Sequence, residues 1–314
     1  MSDKRTVIRR RRIITSLALA IVVIGGGTYI YSRTSKSTNT ANDTVKVNAQ
    51  EPAKNAESTA AKPKADQIVP NGNIIYSAQS YAVPANEVQQ MLEGKSKDTQ
   101  KQVFLTFDDG PSPNTEKILK ILKDEGVHAT FFVLGSSIKS EEGKKLLKEE
   151  IESGNAIANH SYSHDYRKLY PHNSVDVPVF MNEINTTNDE MRKILGDDFN
   201  ARVVRMPGGY MSRRYYKDPS LPALNTAFNK EHITSIDWDA ETGDATGKKY
   251  TAAQILQNVE KQTKNETHVV LLMHDAAAKK QTVETLPEVI QYFKNNGYEF
   301  KVISNPTVDS FNNK

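Results

Sequence analysis

The sequence of 314 residues contains no cysteine. This absence excludes a disulfide scaffold, a cysteine-based metal site and a thiol nucleophile. The sequence also lacks a large excess of one charge sign: 41 lysine and arginine residues are nearly balanced by 38 acidic residues, and the net charge is +3. Much of that excess lies at the basic N-terminus, so it does not indicate a nucleic-acid-binding protein. We also find no internal repeat, heptad pattern or phosphate-binding glycine loop.

One long uncharged stretch occupies residues 13–31, directly after the arginines at 9–12. Its 19 residues come close to the ~20 that a helix needs to cross a bilayer. The basic residues before it place the N-terminus in the cytoplasm and the rest of the chain outside. A cleaved signal peptide is the alternative, but its apolar core is usually shorter and no Ala-x-Ala site follows. We therefore predict a cytoplasmic tail at 1–12 and an uncleaved single-pass anchor at 13–31.

The next segment, 32–67, is composed mainly of Ser, Thr, Asn, Ala, Lys and Pro. It cannot bury enough apolar surface to offset its conformational entropy, so we predict a disordered linker. Residues 68–100 contain short apolar groups and a possible helical turn, which indicate an N-terminal extension of uncertain structure. The remaining residues, 101–314, are predicted to form the catalytic domain.

This last part alternates between runs suited to strands and segments with helical spacing. The five clearest helical segments include three that end at Gly154, Gly196 and Gly297, and the segment 219–230 is a weaker sixth. Such alternation predicts an α/β protein with a parallel sheet, either a (β/α) barrel or a doubly wound sheet. The predicted strands lie at 103–107, 129–134, 155–159, 202–206, 232–238, 268–273 and 299–303.

Polar motifs lie at or just after the C-terminal ends of five of these strands. Catalytic residues that come from the C-terminal ends of many strands are typical of a (β/α) barrel, which we therefore favour over the doubly wound sheet. The motifs are Asp108-Asp109, His160 with His164, Arg205, the run from Asp237 to Asp244, and His274.

The two histidines and one of the two adjacent aspartates can form a metal site. A single His-x3-His pair is more often structural, and adjacent carboxylates can be a solvated pair. Two imidazoles with one carboxylate, however, form the three-ligand set of a catalytic zinc site, with positions left open for water and substrate. The same set can hold non-heme Fe(II), so an iron site is the alternative to a hydrolytic zinc site on these grounds.

The remaining titratable side chains suit proton transfer. With one aspartate on the metal, the other is free to accept a proton from water, and Arg205 can hold that aspartate in its ionised form. His274 titrates near neutral pH and is suited to protonate a leaving amine.

Together, residues 101 to about 303 resemble a polysaccharide deacetylase domain of the NodB-homology type, carbohydrate esterase family 4. The resemblance covers about two thirds of the chain and includes all five motifs in order. It implies a distorted (β/α) barrel of about seven parallel strands that removes N- or O-acetyl groups from a sugar polymer. The anchored layout is similar to that of the membrane-anchored peptidoglycan N-acetylglucosamine deacetylases of Gram-positive bacteria.

The resemblance also implies a role for each motif residue. It implies that the site binds one divalent metal ion, with zinc preferred over cobalt, nickel or manganese. The metal and a backbone N–H after Arg205 would stabilise the oxyanion. The implied residues are Asp108 as general base, Arg205 as its positioning residue, Asp109, His160 and His164 as metal ligands, His274 as general acid with Asp244 orienting it, and Leu272 beside the acetyl methyl group.

Two positions depart from the family pattern and affect the sugar subsite. Gly208 stands where many members have an aromatic residue, so Gly208 is the expected N–H donor and Tyr210 is a candidate to fill the space. Ala245 follows Asp244 where many members have tryptophan, although Trp238 lies earlier in the same run. Candidates for stacking on sugar rings are Tyr162, Tyr166, Tyr210, Tyr215, Tyr216 and Trp238.

The leading hypothesis is a membrane-anchored metallo-deacetylase that acts on acetylated cell-wall glycan outside the cell. The same chemistry on chitooligosaccharide, exported poly-N-acetylglucosamine or an O-acetylated glycan is the first alternative. A catalytically idle wall-binding protein is an alternative of a different class. A glycoside hydrolase is disfavoured, because its two carboxyl groups lie ~5–10 Å apart across the bond, which adjacent residues rarely satisfy.

Overall fold

The computed structural model describes residues 63–248 and 250–311. The predicted tail and anchor, and the predicted linker up to residue 62, lie outside these residues. None of the helices in the described part is long and apolar enough to cross a membrane. The end of the predicted linker is described: the carbonyl groups of Ala65 and Gln67 accept hydrogen bonds from the N–H groups of Ser77 and Tyr76.

The described residues form an alternating series of strands and helices. The strands are β1 (Ala82–Pro84), β2 (Gln102–Asp108), β3 (Thr130–Val133), β4 (Ala156–Asn159), β5 (Val203–Val204), β6 (Thr234–Ser235), β7 (Ala240–Glu241), β8 (His268–His274), β9 (Glu299–Phe300) and β10 (Val302–Ser304). The helices are α1 (Ala85–Leu92), α2 (Pro113–Glu125), α3 (Glu141–Glu152), α4 (Tyr166–Leu169), α5 (Val177–Leu195), α6 (Tyr210–Tyr215), α7 (Leu221–Lys230), α8 (Ala252–Thr263) and α9 (Lys280–Asn295).

The main sheet confirms the prediction of an α/β fold with a parallel sheet. Seven strands follow the order β6-β5-β4-β3-β2-β8-β7, and every pairing among them is parallel. The short strand β9 pairs with the first two residues of β2. It lies on the same side of β2 as β3, which pairs with the last three residues of β2, whereas β8 lies on the other side. Strands β1 and β10 form a separate parallel pair, so the N-terminal extension joins the end of the chain.

The sheet is curled, because its first and last strands are joined by only four residues. A flat sheet of seven strands at ~4.8 Å spacing would separate β6 from β7 by about 29 Å. The connection 236–239 can span at most about 18 Å from Ser235 to Ala240. The two edges are therefore brought towards each other, which gives a curled half-barrel rather than a flat doubly wound sheet.

The predicted barrel is not closed, and this corrects part of the expectation. Adjacent parallel strands need a crossover of a dozen or more residues, whereas the connection between β6 and β7 has four. The run 232–238, predicted as one strand, is for the same reason a two-residue strand followed by a crossing segment. Arg205 donates hydrogen bonds to the carbonyl oxygens of Ile236 and Asp237 in the middle of that segment. The two ends of the segment stay attached to the sheet, because the N–H of Ile236 donates to Val204 of β5 and that of Asp239 donates to Val270 of β8.

The core lies on both faces of β2, which is buried along its whole length. Val103, Leu105 and Phe107 belong to the large outer cluster, which also contains apolar residues of α2 and α9. Phe104 belongs to the inner cluster, together with Val270 of β8 and residues of α1. Because side chains alternate along a strand, Asp108 on β2 and His274 on β8 also project to the inner face.

Candidate active site

The functional side chains meet at the C-terminal edge of the curled sheet. Asp108 is the last residue of β2, His160 follows β4, and Arg205 follows β5. His274 is the last residue of β8 and is paired in register with Asp108. Since all these strands are parallel, their C-terminal ends lie on one edge, and the residues predicted from five separate runs are brought together there.

Asp109, His160 and His164 form the group that can hold a metal ion. The Oδ1 atom of Asp109 lies 3.5 Å from Nε2 of His160 and 3.6 Å from Nε2 of His164. Asp109 and His164 both adopt positive φ, 77° and 54°. Non-glycine residues in this region cost on the order of 1–3 kcal/mol, so the surrounding structure must enforce the arrangement.

The protonation state of His160 fits metal binding. Its Nδ1 atom lies 2.7 Å from the carbonyl oxygen of Arg205, which only accepts hydrogen bonds, so Nδ1 carries the proton. The lone pair on Nε2 therefore faces Asp109. Burial lowers the pKa of His160 to about 3, against the opposing effect of the Asp109 charge, so the ring is neutral at pH 7.

The carboxylate of Asp109 also fits a cation. Its Oδ1 atom is buried and has no hydrogen-bond partner among the described residues. A buried carboxylate oxygen without a partner is costly unless a cation or proton compensates it. Two neutral imidazoles and one carboxylate match the donor set of a three-ligand divalent site.

Asp108 is held by Arg205, which is fully buried. The Nη1 atom of Arg205 donates to Oδ1 of Asp108 and to Oγ1 of Thr106, both at 2.8 Å. The guanidinium lies between two aromatic rings, 4.1 Å from the ring centroid of Phe132 and 5.6 Å from that of Trp238. Burial raises the pKa of Asp108, while the charges of Arg205 and His274 act in the opposite direction.

His274 is oriented by Asp244, as the family resemblance implied. The Nδ1 atom of His274 lies 2.8 Å from Oδ1 of Asp244, and its backbone N–H donates to Oδ2 of the same carboxylate at 2.9 Å. Thr282 donates to that Oδ2 atom at 2.7 Å. Burial alone would lower the pKa of His274, but the hydrogen bond and charge of Asp244, with the charge of Asp108, raise it to about 9.

Leu272 lies two residues before His274 on β8, so the two side chains share the inner face of the sheet. It is buried and is paired in register with Thr106 on one side and Glu241 on the other. Leu272 therefore lies one side-chain layer below Asp108 and His274, and its predicted contact with an acetyl methyl group stays a prediction.

The loop after β5 departs from the expectation for Tyr210. Gly208 and Gly209 both adopt positive φ, and the backbone N–H groups of Tyr210 and Met211 donate to the Asp237 carboxylate at 2.8 and 2.6 Å. These bonds fix the start of α6 so that the hydroxyl of Tyr210 donates to Asn225 on α7. Tyr210 therefore does not fill the space beside Gly208.

That space is occupied by Tyr166. A Cβ atom added to Gly208 would lie 2.4 Å from the Tyr166 hydroxyl. Trp238 is placed near the same loop, since a Cβ atom on Gly209 would lie 3.1 Å from its ring, but its ring also packs on Arg205. Tyr210, the residue expected to fill the space beside Gly208, thus faces α7, and Trp238, a candidate for stacking on sugar rings, supports Arg205.

Asp237 and Asp275 were not predicted to have separate roles, yet Asp237 holds the start of α6 and Asp275 holds the backbone of Asp108. Asp275 is buried, its N–H donates to the carbonyl of Asp108, and its carboxylate accepts a hydrogen bond from Thr115. Any side chain at Gly110 would collide with this carboxylate. Burial raises the pKa of Asp275 to about 7. Two features of the sequence could have indicated these roles. Asp275 is adjacent to His274, and Asp237 is the first residue of the polar run that ends at Asp244.

Comparison with known proteins gives the class to which this fold and site belong. A family model described as polysaccharide deacetylase matches residues 95–221. A peptidoglycan-N-acetylglucosamine deacetylase of Bacillus cereus is 31% identical over 209 residues, which cover 64% of this chain and 68% of that protein. A bifunctional xylanase/deacetylase of Pseudobutyrivibrio xylanivorans is 29% identical, and the matched region spans 67% of this chain but only 31% of that protein's length.

Solved structures agree with this class. The structure of a Streptococcus mutans CE4 esterase is 35% identical with a TM-score of 0.70, and the match covers 77% of this chain and all of the other. A polysaccharide deacetylase from Bacillus cereus is 31% identical with a TM-score of 0.56. The chain therefore belongs to the polysaccharide deacetylase family, as the sequence motifs indicated. It is a hydrolase of carbon–nitrogen bonds other than peptide bonds.

Proposed function

We propose that this chain is a metal-dependent deacetylase that hydrolyses the N-acetyl groups of N-acetylglucosamine residues in cell-wall peptidoglycan. The observation that carries the proposal is the position of Asp108. One of its oxygens is held by Arg205, and the other, Oδ2, lies 3.7 Å from Nε2 of His160 in the three-ligand group. Relatives from Bacillus cereus and Listeria monocytogenes are named peptidoglycan-N-acetylglucosamine deacetylases, which supports the choice of substrate.

The residues that would hold the metal are Asp109, His160 and His164. A bound divalent ion, for which zinc is our first choice and cobalt, nickel or manganese are alternatives, supplies Lewis-acid chemistry: it polarises a carbonyl group and lowers the pKa of water. The neutral state of His160 and the unpartnered oxygen of Asp109 support this assignment.

Asp108 is the general base in this proposal. Because Oδ1 accepts the hydrogen bond from Arg205, Oδ2 is the atom left to take a proton from the attacking water. The water oxygen then forms a bond to the acetyl carbonyl carbon. Arg205 keeps the carboxylate in one orientation throughout, since its guanidinium is fixed by Thr106, Ile236 and the two flanking aromatic rings.

His274 is the general acid. Its Nδ1–H is committed to Asp244, so Nε2 carries the proton that is available to the substrate. When the bond between the carbonyl carbon and the nitrogen breaks, this proton goes to the nitrogen, and acetate and a free amine are the products. A pKa of about 9 keeps His274 protonated at neutral pH, as this role requires.

Two further residues complete the proposed reaction site. The backbone N–H of Gly208 would donate to the oxyanion that forms at the acetyl oxygen, and Leu272 would contact the acetyl methyl group. Gly208 lies in an exposed turn with φ of 77°, a conformation that glycine adopts without strain.

The location that fits this substrate is outside the cell. We propose that residues 13–31 anchor the chain in the cell membrane with the N-terminus in the cytoplasm, and that residues 32–62 allow the domain to reach the wall. The support is the basic cluster before an uncharged stretch of bilayer-spanning length.

Acetate release from purified peptidoglycan by the full chain tests the proposal. The reaction is run as isolated, after chelation, and after addition of zinc or cobalt, with Asp108→Asn as the inactive variant and the exposed Asp197→Asn as its matched control. Chelator-sensitive release that only Asp108→Asn lacks is the expected result. Release from chitooligosaccharide alone would overturn the substrate, and no release from any acetylated glycan by the metal-bound chain would favour an idle wall-binding protein.

A further inference from the structure

Gly208 and Tyr166 come from different loops and are in direct contact. Tyr166 is the first residue of α4, two positions after His164, whereas Gly208 follows β5. A Cβ atom at position 208 would lie 2.4 Å from the Tyr166 hydroxyl and 3.3 Å from the ring carbon that carries it. The absence of a side chain at 208 therefore leaves room for this tyrosine.

The ring of Tyr166 is held from two sides. Its centroid lies 5.4 Å from the ring of His164 at 62°, and 5.4 Å from the ring of Tyr170 at 72°, both edge-to-face arrangements. The carboxylate of Asp165 accepts a hydrogen bond from the N–H of Arg167, which fixes the start of α4. Edge-to-face contacts of this kind are favourable, so the ring is oriented before any ligand arrives.

Tyr166 is nevertheless open to solvent. Its exposed fraction is 45%, whereas that of the neighbouring Tyr170 is 5%. The large apolar side chains that are exposed in the described residues include three more from the same region: Met211, Tyr215 and Tyr216. An exposed, oriented aromatic ring next to a metal-binding histidine is suited to contact a substrate rather than to stabilise the core.

A row of stacked groups continues from Tyr166 away from the metal-binding residues. The guanidinium of Arg213 lies 4.7 Å from the ring centroid of Tyr170 and 5.5 Å from that of Tyr216. Tyr216 is exposed. Tyr170 and Arg213 are buried, so this row supports the exposed rings of Tyr166 and Tyr216 from within the domain.

We propose that Tyr166 is a specificity-determining residue whose ring, held against Gly208, forms the wall on which the acetylated sugar of a glycan chain packs. The ligand class is a neutral pyranose that presents an apolar C–H face to the ring. This inference rests on the proposed deacetylase function and adds the residue that selects the sugar. Tyr166 does not take part in bond breaking, so its effect is on binding.

The first test measures KM and kcat of the metal-loaded full chain for chitopentaose. Tyr166→Ala is expected to raise KM about tenfold, the size of one aromatic contact, and to leave kcat within about threefold. Tyr166→Phe keeps the ring and is expected to retain most of the affinity. A fall in kcat at unchanged KM, or equal effects of the two substitutions, would overturn the proposal.

A binding measurement separates loss of the wall from a change in chemistry. Asp108→Asn lacks the proposed base, so its Kd for chitopentaose reports binding without turnover. Adding Tyr166→Ala to this variant is expected to weaken binding about tenfold, and an unchanged Kd would overturn the proposal. Thermal midpoints of all variants establish that the fold is retained.

A double-mutant cycle tests the contact itself. Gly208→Ala places a methyl group against the tyrosine hydroxyl and also forces alanine into positive φ, whereas Tyr166→Phe removes only the hydroxyl. The backbone strain is common to both backgrounds and cancels in the cycle. We expect Gly208→Ala to reduce kcat/KM about fivefold more with Tyr166 present than with phenylalanine, and equal reductions would contradict the contact.

The proposed deacetylase function and the role of Tyr166 can be overturned separately. If the wild-type chain releases no acetate from any glycan, the proposed function and this inference are both overturned. If the wild-type chain is active and Tyr166→Ala has the same KM and Kd as its parent, only the role of Tyr166 is overturned.

Discussion

The guanidinium of Arg205 lies 2.8 Å from the carboxylate of Asp108, and both side chains are buried. The backbone of the same arginine also orients a residue of the proposed metal site, because its carbonyl oxygen accepts the Nδ1–H of His160. Arg205 thus fixes the proposed base through its side chain and one of the proposed metal ligands through its main chain. The turn after β5 is therefore the element that sets the two parts of the site relative to each other.

Replacement of Arg205 is expected to cost both stability and activity. Arg205→Met leaves the Asp108 carboxylate buried without its partner, and breaking such a pair costs about 3–5 kcal/mol. Arg205→Lys keeps the positive charge but loses the hydrogen bonds to the carbonyl oxygens of Ile236 and Asp237. It is therefore expected to be more stable than Arg205→Met but less stable than the wild type. Chemical denaturation gives the free energy of unfolding of each variant.

The matched control is Arg192→Met, which removes an exposed ion pair with Asp189. Exposed pairs contribute little, so its unfolding free energy should change by no more than about 1 kcal/mol. Equal effects of the buried and the exposed arginine would contradict the role assigned to Arg205.

The loss of activity at alkaline pH, which is the alkaline limb of the pH–activity profile, is expected to reflect the deprotonation of His274. The acid must be protonated, so kcat should be lost as pH rises through about 9. Asp244→Asn removes the charge that raises this pKa, and the limb should move towards the ordinary histidine value of about 6.5. Thr282→Val removes only one hydrogen bond to Asp244 and should cause a smaller shift. A limb that stays at the same pH in Asp244→Asn would exclude His274 as its source.

Zinc is expected to stabilise the wild-type chain through Asp109, His160 and His164. A ligand that binds only the native state adds about 2.7 kcal/mol at a concentration of 100 Kd. Asp109→Ala removes the only carboxylate of the group and should abolish most of this gain, whereas the exposed Asp197→Ala should retain it. Denaturation with and without zinc measures the difference. The assignment fails if Asp109→Ala is stabilised as strongly as the wild type.

The stability of the metal-free protein is expected to depend on pH through Asp275. Its folded pKa of about 7 lies above the unfolded value, so its contribution is fully present below about pH 4 and is lost as pH rises through about 7. Asp275→Asn cannot ionise and should not show this loss. The free energies of unfolding of the two proteins are measured at pH 5 and pH 8. The difference between them should be larger at pH 8 by a few kcal/mol, and the same difference at both pH values would contradict the raised pKa of Asp275.

Much of the fold and the site could be predicted because parallel strands end at one edge. The apolar runs around β2, β4, β5 and β8 marked these strands, and the polar residues after each run had to meet. The crossing segment 236–239 was not predictable, because Ile236 and Trp238 pack in the inner core in the way that residues of a paired strand do, although the segment crosses from one edge of the sheet to the other. Apolar character alone does not distinguish these two environments.

The details of the sugar subsite depended on contacts distant in sequence. Tyr210 was a reasonable candidate to fill the space beside Gly208 because it is only two residues away. The direction of the Tyr210 side chain is instead set by Asp237, whose carboxylate accepts hydrogen bonds from the start of α6. The space beside Gly208 is occupied by Tyr166. Loop directions of this kind follow from tertiary hydrogen bonds that no local pattern reveals.

The most direct test of the central claim is mass analysis of muropeptides after treatment of peptidoglycan with the metal-loaded full chain. We predict that the wild-type chain removes the acetyl group from the glucosamine residue and that Asp108→Asn leaves it in place. Intact acetyl groups after treatment with metal-bound wild-type chain would contradict the account, as would a loss confined to the muramic acid residue.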